Sequence, residues 1–161
     1  MNKIEQFFIS RLQHYNHIKY WKMRYYIQNK DKGFKLKKIL YLYKIKKSDA
    51  FNCCSFGSSI HGGAKFKTPP ILPHGPKGII VNEFSTIGEN CKIFHQVTLG
   101  EKNGKAPTIG DNVIIYPGAK IVGGITVGNN AVIGPNSVVV KDVPDNAVVS
   151  GIPAVVIKMK Q

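Results

Sequence analysis

Three histidines in the second half of the chain have neighbours suited to proton chemistry: His61 in SIHGGAK, His74 in LPHGPKG and His95 in IFHQVTLG. An imidazole ordinarily titrates at about 6.5, so at neutral pH it can take a proton from a hydroxyl and return it to a leaving group. His74 is the foremost candidate, because Gly75 and Gly78 flank it in a stretch that breaks the surrounding repeat. His95 follows a repeat position, Ile93, by two residues and is expected to face outward, toward a substrate or solvent. Other chemistries lack their signatures. There is no CxxC or HExxH spacing for a metal and no GxxxxGK loop for a nucleoside triphosphate. Cys53, Cys54 and Cys91 are an odd set without metal spacing, read as free thiols in a reducing compartment.

The scaffold behind these histidines is a six-residue clock. Val81, Ile87, Ile93 and Leu99 fall on it, and after an interruption so do Ile109, Ile115, Ile121, Val127, Ile133 and Val139. Three residues later come Asn90, Asn112, Gly118, Gly124, Asn130, Asn136 and Asp142, residues that suit tight corners. Four residues later come mostly small or β-branched side chains, among them Ser85, Cys91, Val97, Val113, Ala119, Ala131 and Ser137. Six is a multiple of the strand period of two, so every guide residue points to one side. Short strands separated by corners, each coil covering the next, make a parallel β-helix. Upstream, Ile60, Phe66 and Leu72 keep the frame before a nine-residue step that contains His74. Between Leu99 and Ile109 the segment EKNGKAPT adds four residues, predicting a loop that stands off the coil.

The charge is uneven. The formal net charge is +14, and residues 1–50 carry 13 of the 23 Lys and Arg against Glu5, Asp31 and Asp49, together with Trp21 and six of the seven tyrosines. Helical spacing of Ile4, Phe7, Phe8, Leu12 and Tyr15, and again of Leu36, Ile39, Leu40 and Tyr43, predicts two amphipathic helices about a turn at Asn29–Gly33. The favoured role is a cap packed on the first coil. Contact with an anionic membrane surface ranks second. Nucleic acid is a distant third, without a motif, and no nucleic-acid partner is expected. No apolar run is long enough to span a membrane, and MNKIEQFFISRLQHY lacks the marks of a leader, so a cytoplasmic, at most membrane-peripheral, location is expected. The chain thus divides into a basic helical segment at 1–50, a repeat domain at 57–157 and a basic tail at 158–161.

The stretch GSSIHGGAKFKTPPILPHGPKGIIV, the IFHQVTLG and EKNGKAPT segments, and the closing Gly151-Ile152-Pro153-Ala154 resemble the serine acetyltransferase-like branch of the hexapeptide-repeat acyltransferases. The resemblance covers roughly residues 57–157. It implies a mainly β fold, a left-handed parallel β-helix, assembled as a homotrimer with acetyl-CoA lying along the coils between chains. It also implies no metal. His74 falls at the family's general base. Where the family has an Asp to orient that base, this chain has Ser59, which makes Ser59 the second candidate catalytic residue and leaves the orienting group open. His95, Asn103, Lys105 and His61 are candidate acceptor contacts. Gly118, Ala119, Pro135, Asn136 and Lys158 are candidate cofactor contacts, with backbone N–H groups at the corners offered as oxyanion donors and Lys158 and Lys160 toward the phosphates.

The expected activity is transfer of acetyl from acetyl-CoA to a hydroxyl. A saccharide acceptor, as in surface-polysaccharide modification, is favoured over free L-serine. The family's Arg-His pair before the loop Pro is replaced by Lys105-Ala106, and its Asp residues by Ser59 and Pro73. A zwitterion thereby loses a two-pronged carboxylate clamp and its ammonium partners. Serine O-acetyltransferase is the alternative, and a non-catalytic trimeric β-helix module the third reading.

Overall fold

The computed structural model describes residues 8, 10–28, 35–59 and 62–160. Two helices, α1 (His17–Gln28) and α2 (Lys35–Phe51), precede a succession of two- to six-residue strands that wind into a parallel β-solenoid of about five turns. The fold is mainly β and is the left-handed β-helix expected from the repeat and its resemblance.

The clock becomes three ladders. On one face Val81 pairs with Leu99, Leu99 with Ile121 and Ile121 with Val139. On the second Phe66, Ile87, Ile109 and Val127 stack in turn. On the third Ile93, Ile115, Ile133 and Val149 do the same. Every guide residue from Val81 to Val139 is at most 2% exposed, so the repeat position is the core. The small residues between them, Ser85, Cys91, Val97, Val113, Ala119, Ala131 and Ser137, are also sealed. Burial pushes the Cys91 thiol up to about 11, which leaves it a packing residue. Corners are turned by Asn90, Asn112, Asn130 and Asn136 at φ of 55, 58, 58 and 54°, the left-handed region that asparagine tolerates.

The last strand, Ala154–Met159, folds back antiparallel on Ala147–Gly151. Lys158 therefore lies in a strand opposite Val148, and Lys160 is tied by its amide to the Asn146 carbonyl and by Nζ to the Asn130 carbonyl. The segment read as a basic tail at 158–161 is, through residue 160, part of the solenoid's edge.

At the other end the helices cap the first coil. Tyr20 and Trp21 of α1 are buried against Phe56 and Phe66, with Trp21 and Phe66 centroids 4.8 Å apart. Arg24 is buried with its guanidinium 5.0 Å from the Phe66 ring, donating to Ser58 Oγ and to the Ala64 carbonyl. The helical expectation was right in kind and shifted in place. Residues 10–12 are helical, Ile4, Phe7 and Asn29–Gly33 lie outside the described residues, and α1 was not foreseen because its apolar and aromatic side chains run all round the helix. In α2 the packed side is Tyr41, Leu42, Ile45 and Asp49, whereas Leu36, Ile39, Leu40 and Tyr43, expected to face the coil, are exposed.

Asp49 gives this cap a pH dependence. Its Oδ1 accepts the Tyr20 hydroxyl at 2.7 Å, while its Oδ2, also buried, has no hydrogen-bond donor. Burial raises the carboxyl to about 6, against the lowering effect of the Tyr20 bond. The folded chain then holds this proton more tightly than the unfolded chain does. Stability should fall as pH rises from about 4, the unfolded value, to about 6, by an amount on the order of 2 kcal/mol. Thermal melts of the natural chain and of Asp49→Asn between pH 4 and 7 should show the Asn variant gaining relative stability as pH rises. Parallel curves would remove Asp49 as the cause.

Candidate active site

His74 sits on a widened corner. The chain turns at Leu72–Gly75, where the Gly75 amide bonds the Leu72 carbonyl at 3.1 Å, and again at Gly78, whose φ is 67°. A Cβ at Gly78 would approach Gln96 Cγ to 3.1 Å, so the glycine lets two coils close on each other. One coil above, Lys92 pairs with Ile71 in parallel, and the Ile93 amide bonds the Ile71 carbonyl at 3.0 Å. Continuing that register sets Leu72 beside Ile93 and His74 beside His95.

The two imidazoles meet. His74 Nδ1 and His95 Nδ1 are 2.9 Å apart, with ring centroids at 5.0 Å. One nitrogen must donate and the other accept, so the pair holds a single proton between its two Nδ1 atoms. Phe94 stands edge-on to His74 at 5.2 Å and stacks on Tyr116, also at 5.2 Å, which buttresses the imidazole from the next coil. His74 itself is exposed and His95 half-buried. Both open into a cleft of about 910 Å³ lined also by Leu12, Gln13, Phe51, Asn52, Cys53, Lys77, Gly78 and Gln96. Among the described residues no carboxylate lines it.

The remaining predicted residues lie elsewhere. Ser59 lines a separate cleft with Glu83, Phe84 and Thr86, so within one chain His95, rather than Ser59, meets the His74 ring. His61 is outside the described residues. Asn103 and Gly104, at φ of 54 and 75°, form the tip of a two-residue hairpin closed by Lys102 and Lys105, whose amides and carbonyls bond each other at 2.9 and 3.2 Å. Asn103 thus has a turn role that asparagine-glycine pairs commonly fill. Lys105 folds over Gly124, where a Cβ would come within 2.6 Å of the lysine Cβ.

The backbone N–H groups offered as oxyanion donors are already used. Gly118 donates to the His95 carbonyl at 3.1 Å, Ala119 to Tyr116 at 3.3 Å and Asn136 to Pro117 at 2.9 Å. The Gly118 and Asn136 bonds join neighbouring coils, the Ala119 bond closes its own corner, and a buried Ala119 has no alternative partner in solvent. Pro135 and Asn136 remain an exposed corner beside Gly118, with Asn136 Oδ1 filling the space a Gly118 Cβ would take. The cleft also contains residues the sequence reading passed over, Gln13, Asn52, Cys53 and Gln96. Only Gln96 carried a signal, standing next to His95.

Residues 106–141 match the bacterial transferase hexapeptide family (six repeats). The chain is 43% identical over 106 residues to serine acetyltransferase of Staphylococcus aureus (strain Mu50 / ATCC 700699), covering 63% of this chain and 49% of that protein. It is 44% identical over 108 residues to serine acetyltransferase of Staphylococcus epidermidis (strain ATCC 12228 / FDA PCI 1200), covering 65% and 50%. Among solved structures, serine acetyltransferase in complex with CoA superposes with a TM-score of 0.69 at 32% identity, covering 86% of this chain and 54% of that one. Serine acetyltransferase in complex with coenzyme A from Brucella abortus strain S19 gives 0.73 at 28% identity, covering 89% and 55%. In fold and repeat the chain is similar to the hexapeptide-repeat proteins. Within that class it is serine acetyltransferase-like in sequence and in structure. It spans about half the length of the curated relatives it matches.

Proposed function

We propose that the chain is an O-acetyltransferase that uses acetyl-CoA, with His74 as general base. The observation that carries this reading is the His74–His95 pair, set on a widened corner of a hexapeptide solenoid and open to a cleft. With His74 Nδ1–H donating to His95 Nδ1, His74 Nε2 is left with a lone pair. As the acceptor oxygen attacks the thioester carbonyl, Nε2 takes the hydroxyl proton. The resulting imidazolium keeps its Nδ1–H bonded to neutral His95. When the tetrahedral adduct collapses, the C–S bond breaks and Nε2 returns the proton to the CoA thiolate. No covalent enzyme intermediate is needed. His95 is in this scheme a positioning residue, doing with a neutral nitrogen what a carboxylate does elsewhere. CoA-bound neighbours support the donor. A homotrimer, with the cofactor along the coils between chains and Lys158 near its phosphates, follows from the resemblance and is part of the proposal.

The acceptor divides the support. The relatives are named serine acetyltransferases, which favours L-serine. The chain's own residues favour a neutral hydroxyl, as on a saccharide: the described lining of the cleft offers no carboxylate to an ammonium group, and Lys105-Ala106 and Pro73 stand where the family's serine-binding side chains are expected. Release of CoA thiol from acetyl-CoA, measured with L-serine and with a panel of sugars and nucleotide sugars, decides. The expected result is turnover with a saccharide at a kcat/KM of roughly 10⁴ M⁻¹s⁻¹ or more and little with L-serine. The reverse pattern makes the chain a serine acetyltransferase, and no thiol release with any acceptor returns it to a β-helix module.

A further inference from the structure

The outer face of α2 is an apolar stripe bordered by lysines, and we propose that it docks the protein on an anionic lipid bilayer. Leu36, Ile39, Leu40 and Tyr43 are 67, 52, 50 and 63% exposed, and Phe51 at the helix end is 56% exposed. A helix turns roughly 100° per residue, so these five side chains share one side, opposite the buried Ile45 and Asp49. Ordinary amphipathic helices turn such a stripe inward. This one turns it to solvent, and the side packed on the cap is a different one.

The charge around the stripe names the occupant. By the same rotation Lys35 and Lys46 border it on one side and Lys37 and Lys44 on the other, while Lys47 lies within its C-terminal half. The one acid of α2, Asp49, is buried. A protein partner with an acidic rim would also meet these lysines. Yet a stripe running lengthwise on a helix, with long cationic side chains on both flanks, is the form of an interfacial helix. The aliphatic side chains enter the acyl boundary and the lysine stems reach back to phosphates. Beside Lys44, a cavity of about 580 Å³ lined by Arg11, Lys19, Lys44, Ser10, Asn16 and Ser48 adds cations and hydroxyls where lipid headgroups would lie.

The stripe ends at the candidate site. Phe51 lines the His74 cleft, as does exposed Leu12. A bilayer against α2 would therefore lie at one wall of that cleft, within reach of an acceptor held at the membrane. This last step rests on the proposed acetyl transfer, whereas the docking does not, and vesicle binding is read without any substrate.

The full chain should co-sediment with vesicles of phosphatidylcholine mixed with phosphatidylglycerol about tenfold more than with phosphatidylcholine alone, and raising the salt should release it. Leu36→Ser/Ile39→Ser/Tyr43→Ser, at exposed positions, should keep the circular dichroism spectrum and lose most of the bound fraction. Lys35→Glu/Lys46→Glu should lose it without touching an apolar residue. Absence of binding to the mixed vesicles at low salt overturns the proposal, as does binding that both variants retain. Loss of an oligomer in light scattering, with vesicle binding unchanged, would assign the face to a second copy of the chain instead.

Discussion

His74→Ala is expected to lower the turnover of acetyl transfer by about two to four orders of magnitude, the range for removing a general base. The side chain is exposed, so its loss opens no core cavity, and the melting temperature should stay close to that of the natural chain. The pair makes a finer prediction. His95→Ala removes the Nδ1 that receives the His74 proton at 2.9 Å and should cost less than His74→Ala, because the base survives without its orienter. His95→Gln, whose amide oxygen can accept the same proton, should recover part of that loss. A His74→Ala variant with a near-normal rate would remove His74 from the chemistry, and Cys53 and His95, which share its cleft, would then be tested as the base.

Ile121→Asp is expected to abolish the folded β-helix. Ile121 is fully buried and is paired on both sides, to Leu99 below and Val139 above. A carboxylate there faces only aliphatic neighbours of the three ladders. Leaving it charged and unpaired costs several kcal/mol, a large share of the roughly 5–15 kcal/mol by which a domain is stable. Because each coil buries its face only against the next, the damage cannot be spread over distant contacts. Far-ultraviolet circular dichroism and gel filtration should show an unfolded or aggregated chain, while Ile121→Val should cost only about 1 kcal/mol in denaturant. A folded Ile121→Asp protein would mean that the ladder is hydrated at its centre, against the observed burial.

The ladders were legible because their cause is local and periodic. An aliphatic residue at every sixth position can be satisfied in few ways, and Val81 through Val139 all took the predicted place. The helices were less legible. Trp21 and Tyr20 gain their burial from Phe56 and Phe66, far along the chain, and no spacing within α1 announces that. The direction of the α2 stripe was misread for the same reason: periodicity tells that one side is apolar and not which side finds a neighbour. His74 was singled out as a candidate from its glycines and its place in the frame. Its partner was missed, though carrying the ladder register across the widened corner sets residue 74 beside residue 95. A corner amide looks free in sequence, whereas Gly118 and Asn136 donate to carbonyls of the preceding coil and Ala119 to a carbonyl of its own corner.

The corners of this solenoid absorb changes in chain length without disturbing its ladders. Val81 and Leu99 are neighbours across a coil with no insertion, Leu99 and Ile121 are neighbours across one that contains the Asn103-Gly104 hairpin, and Ile121 and Val139 resume the original spacing. Each corner thus acts as a point where the reading frame of the core is reset. Segments of different length can be exchanged there at little thermodynamic penalty, as in any surface loop. Such a scaffold can diverge in what it recognises by trading corner segments while its strands drift only among Val, Ile and Leu. Kinship among such proteins then records the inheritance of the coil, and preference for one hydroxyl or another is a property that can change hands at a single corner.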